Sequence, residues 1–64
     1  MLTYDEMYRD LFSLALELGD DTMLALLNEW FDLDSEVMPL TSGQTKRLVC
    51  LGDYVRNQWY AYFA

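Results

Sequence analysis

The densest group of chemically capable side chains in this sequence is Glu29, Asp32, Asp34 and Glu36, four carboxylates within eight positions. Asp32, Asp34 and Glu36 alternate in the way that opens a calcium-binding loop. An EF-hand loop also needs glycine at its sixth position and a bidentate glutamate at its twelfth. Counted from Asp32, those positions hold Val37 and Gly43, so the pattern fails as a cation cage. It is read instead as part of an irregular stretch from Asp32 to Leu40, a solvated loop with a capping role, or as an acidic surface facing a basic partner. Paired carboxylates are also the raw material of acid–base catalysis. Asp5/Glu6 and Asp20/Asp21, however, fall where helices begin, and capping together with the helix dipole accounts for both pairs.

The rest of the catalytic repertoire is thin. There is no histidine, which removes Ser-His-Asp and Cys-His constellations and most zinc sites. Cys50 stands alone. It lies on or beside the apolar side of the last helix, which predicts a small buried hydrophobe rather than a reactive thiol. The three glycines are far apart, so no phosphate-cradling loop exists. A chain of 64 residues leaves little room for a cavity of roughly 300 Å³ or more. The expectation is a non-enzymatic protein with no cofactor and no metal.

Charge is more informative. The formal net charge is −7, from eleven acidic and four basic residues. Residues 1–36 carry ten acids against Arg9, a balance of −9, and residues 37–64 carry Asp53 against Lys46, Arg47 and Arg56, a balance of +2. Direct binding to a nucleic-acid backbone needs a basic surface and is not expected; adhesion to an anionic membrane is disfavoured for the same reason. An acidic half of this kind complements a basic protein surface. Glu29, Asp32, Asp34 and Glu36 are the candidate partner-binding residues. Nucleic-acid mimicry is the strong form of that reading, although eleven carboxylates make only a moderate density.

The elements that must position these groups are three helices. Thr3 with Glu6 fits a capping box, and Leu2 with Met7 fits a hydrophobic staple. The apolar positions Tyr4, Met7, Tyr8, Leu11, Leu14, Ala15 and Leu18 then follow one helical face to Gly19. Phe12 and Leu16 form a second, smaller stripe beside it. Asp20 or Asp21 opens the next helix, running to about residue 32, whose interior is apolar on most sides. Met23 to Leu27 lack β-branching, which argues against a strand. Pro39 breaks the chain, and Thr41 with Gln44 forms a second capping-box candidate. Leu48, Leu51, Val55, Trp59 and Tyr62 stripe the last helix. Gly52 inside it is unfavourable by about 1 kcal/mol against alanine, which suggests close approach of a neighbour. The predicted fold is all-α: a small three-helix bundle with helices near 4–18, 21–32 and 42–63, alone or interlocked with a second copy. Leu11, Leu14, Leu18, Leu27, Leu48, Leu51 and Val55 are its expected core.

Apolar residues make up 53% of the chain, generous for a length that buries only about 60% of its unfolded surface. Phe12 and Leu16, and the aromatic run of Trp59, Tyr60, Tyr62 and Phe63 taken together, supply more apolar surface than one stripe per helix accounts for. They are the candidate self-association residues, with a homodimer as the expected state. The longest apolar run, Met23 to Leu27, spans five residues, far below the roughly 20 of a membrane span. With a single cysteine and no leader-like segment, the expected compartment is the reducing cytoplasm. The function expected from all this is non-catalytic protein binding. It would be that of an acidic regulator or inhibitor of the kind phages and plasmids encode, docking on a basic, even nucleic-acid-binding, surface of its target. The alternative is a structural subunit that self-assembles or completes an obligate complex.

Overall fold

Each helix starts where a short polar side chain satisfies backbone donors that the helix itself leaves open. In the computed structural model, which describes residues 2–64, α1 spans Tyr4–Leu18, α2 Asp21–Asp34 and α3 Ser42–Phe63. The Glu6 N–H donates to Thr3 Oγ1 (3.2 Å), and the Met23 N–H donates to Asp20 Oδ1 (3.0 Å). At α3 the exchange is reciprocal: the Gln44 N–H donates to Thr41 Oγ1 (3.1 Å) and the Thr41 N–H to Gln44 Oε1 (2.9 Å). Thr3 therefore caps as expected, but the complete capping box belongs to Thr41. Gly19 closes α1 at φ 68°, a left-handed conformation that glycine adopts without steric strain. The Asp20 N–H reaches back to the Ala15 carbonyl (3.0 Å) in a Schellman closure.

The three helices form an all-α bundle in which every pair is in contact. Tyr4 stacks on Trp30 (ring centroids 6.1 Å apart) and both approach Gly52, while Asp10 near the middle of α1 meets Trp59 late in α3. The order is thus up–down–up, with α1 and α3 parallel and α2 running against both. One core is closed by Met7, Leu11 and Ala15 from α1, Met23, Leu27 and Trp30 from α2, and Leu51 and Val55 from α3. The spacing of four, then three or four, keeps each set on a single seam.

The expected core needs correction at its margins. Leu11, Leu27, Leu51 and Val55 are buried, Leu14 and Leu48 are half-buried, and Leu18 is 57% exposed. The seam of α1 follows Met7, Leu11 and Ala15; Leu18 continues it, three positions beyond Ala15, but as the last residue of the helix it lies past the buried part of the core. Cys50 is exposed, not buried. It precedes Leu51 and is rotated about 100° from it on the helix, away from the seam. Helix α2 continues to Asp34, two residues past the expected end. Leu33 packs partly against the core, and the Ser35 N–H closes on the Phe31 carbonyl (2.9 Å). Asp32 and Asp34 are therefore helical rather than part of the loop.

Candidate interaction surface

Among the described residues the four clustered carboxylates divide into one with an ion-pair partner and three without. Glu29 projects from α2 to α3, where Arg47 Nε and Nη2 donate to its two oxygens at 2.6 and 3.0 Å. This fork-to-fork geometry is the strong form of a carboxylate–guanidinium pair. The hydrogen bond from Arg47, aided by its charge, holds the Glu29 carboxyl below the ordinary glutamate range and raises the Arg47 guanidinium in turn. Glu29 is thereby largely removed from the free acidic surface.

Asp32 and Asp34 sit in the last turn of α2 and Glu36 just beyond it, all exposed. Among the described residues none of the three has an ion-pair partner. Their position is electrostatically adverse, because a helix C-terminus carries partial negative charge and disfavours anions by about 0.3–1 kcal/mol each. No basic residue occupies that turn. Asp5 and Glu6, in the first turn of α1, and Asp21, in the first turn of α2, stand at the favourable ends. The capping role first considered for the Asp32–Glu36 group therefore fails, since Ser35 is the C-cap residue.

The apolar candidates divide as well. Phe12 packs partly against the core beside Tyr8 (5.7 Å), and Trp59 is half-buried with its indole N–H donating to Asp10 Oδ2 at 2.9 Å. Phe63 stacks on Trp59 (5.7 Å) and Tyr60 meets it edge-on (5.4 Å). Leu16, Tyr60, Tyr62 and Phe63 are exposed. Val37 and Met38, in the connection before α3, are exposed too.

One feature escaped sequence reasoning because it is assembled from all three helices. A groove of about 280 Å³ opens between Tyr4 of α1, Trp30 and Asp34 of α2, and Leu48, Gly52 and Asp53 of α3. The glycine inside α3 is the one signal that pointed toward it. A smaller groove of about 210 Å³ lies between Asp10, Leu14 and Glu17 of α1 and Phe63. Among the described residues no three potential metal ligands gather, and no helix is long and apolar enough to cross a membrane. The surface therefore offers carboxylates, aromatic edges and shallow relief. No family model, curated protein or solved structure matches the chain.

Proposed function

We propose that this protein is a non-catalytic binding module whose acidic end docks on a basic surface of another protein. The observation that carries this reading is the pair Asp32 and Asp34 in the last turn of α2, neither of which has an ion-pair partner among the described residues. Local structure gives no reason for carboxylates there; the helix dipole opposes them. A basic partner supplies the missing countercharge and turns an intramolecular disadvantage into intermolecular attraction. Glu36 extends the same surface, while Glu29 is held by Arg47. The biological role we assign is a regulator or inhibitor of the kind phages and plasmids encode, acting in the cytoplasm, with a nucleic-acid-binding groove as a natural target.

The test is affinity capture from host extract at low and high salt, with the wild type beside a variant carrying Asp32→Lys, Asp34→Lys and Glu36→Lys. A basic protein held by the wild type at low salt should be released as screening shortens below about 10 Å. The variant, with an unchanged circular dichroism spectrum, should not retain it. The same protein held equally by both chains at every salt concentration would overturn the reading.

Self-association is a second reading, favoured by the exposure of Leu16, Tyr60, Tyr62 and Phe63. The net charge of −7 opposes it, but the aromatic end of α3 lies away from Asp32 and Asp34. Light scattering at micromolar concentration separates a 7.6 kDa chain from a dimer of twice that mass.

A further inference from the structure

We infer that the groove between Tyr4, Trp30 and Gly52 is a socket for an arginine side chain of a basic protein segment. The inference rests on the acidic-surface reading above and names the point where a partner is gripped.

Trp30 supplies the first observation. It is only 3% exposed, yet its indole nitrogen has no hydrogen-bond partner among the described residues. The indole N–H of a buried tryptophan normally finds one, and even that of half-buried Trp59 does, in Asp10. No side-chain nitrogen or oxygen in the described residues is closed off from both partner and solvent. Trp30 lines the groove with its Nε1 beside Gly52, so its N–H opens there and is free to donate to a backbone carbonyl of an incoming chain.

Gly52 supplies the second. A Cβ built at this position would lie 3.8 Å from Trp30 Nε1 and 3.8 Å from Tyr4 Cε1. Those are ordinary van der Waals separations, so helix packing does not demand a glycine. It is nonetheless a poor residue for a helix interior. Its effect is to leave the groove floor bare.

Charge supplies the third. Asp34 from α2 and Asp53 from α3 both line the groove. Asp53 already accepts from Arg56 Nη2, at 3.3 Å and exposed, a weak contact that a better-placed guanidinium can displace. Asp34 has no partner among the described residues. Arginine fits this set better than lysine because its planar head forks onto carboxylates and stacks on aromatic rings such as Tyr4. At about 280 Å³ the groove falls just below the range of about 300–1,000 Å³ usual for small-molecule sites, a size suited to a side chain.

The test is a titration of the whole protein with a capped tri-arginine peptide and, in parallel, with its neutral citrulline counterpart. The indole N–H resonances of Trp30 and Trp59 are followed by NMR. The Trp30 resonance should shift saturably while that of Trp59 stays in place, and the citrulline peptide should bind about tenfold more weakly or worse. Asp34→Asn should weaken binding about fivefold, more than Asp32→Asn outside the groove. Both variants remove an anion from a helix C-terminus, so neither threatens the fold. Salt-sensitive binding that leaves the Trp30 resonance unmoved, with the two variants equally affected, overturns the socket and leaves the acidic surface standing. No binding of the peptide also overturns the socket, while the lysate capture decides the acidic surface separately.

Discussion

Replacing Gly52 by alanine tests the geometry of the bundle and the purpose of the groove together. The position lies ten residues inside α3, counting from Ser42, where glycine is about 1 kcal/mol less favourable than alanine. The added methyl meets Trp30 and Tyr4 at 3.8 Å and requires no movement of either. Complete burial of one such group contributes about 0.8 kcal/mol, and here one side remains open to the groove, so roughly half of that is realised. The sum is a stabilisation of about 1–1.5 kcal/mol. For a domain of this size it corresponds to a rise in melting temperature of roughly 5–10 °C. Thermal unfolding followed by far-ultraviolet circular dichroism reads it directly. Because the methyl occupies the groove floor, the stabilised variant should also bind the tri-arginine peptide more weakly than the wild type. A melting temperature equal to or below that of the wild type would mean that the helices approach more closely at Gly52 than 3.8 Å, and the packing argument would fail.

Leu27→Ala removes a fully buried side chain from α2 and should destabilise by about 2–5 kcal/mol, comparable to the whole stability of a small domain; near-native denaturant unfolding would refute the core. Thr41→Ala and Thr3→Ala each remove one side-chain acceptor from a helix start, while the Thr41 backbone N–H keeps its bond to Gln44 Oε1. Each should cost about 1 kcal/mol in urea titrations; no change in either would contradict the caps. The Glu29–Arg47 pair predicts a definite pH dependence. Because the folded Glu29 pKa is lowered, its contribution is present above the unfolded value and disappears as pH falls through the lower folded value. An NMR titration of the Glu29 carboxyl should show a midpoint below the ordinary glutamate range that returns to it in Arg47→Met; an unchanged midpoint contradicts the pairing. Cys50, exposed on α3, should react with a maleimide in the native protein at a rate near that of a free thiol, and protection would restore the buried placement first expected from sequence.

Three helices, their starts and the all-α class were legible in the sequence because the interactions that define them are local. A cap joins residues three apart, and an apolar seam repeats every three or four positions. The same locality made Leu11, Leu27, Leu51 and Val55 readable as core. Which of two adjacent stripes becomes the seam is a different matter, set by how the helices cross, and Cys50 was misplaced for that reason; Leu18 lies on the seam but at the end of its helix, where the core has stopped. Leu33 extended α2 by packing on the core, turning Asp32 and Asp34 from loop residues into anions at the wrong end of a helix. Glu29 meets Arg47 across eighteen positions and Asp10 meets Trp59 across forty-nine, separations at which no sequence periodicity operates. The groove is the extreme case. Tyr4, Trp30 and Gly52 belong to three different helices, and only the antiparallel course of α2 between two parallel neighbours brings a ring, an indole N–H and a bare stretch of helix to one place.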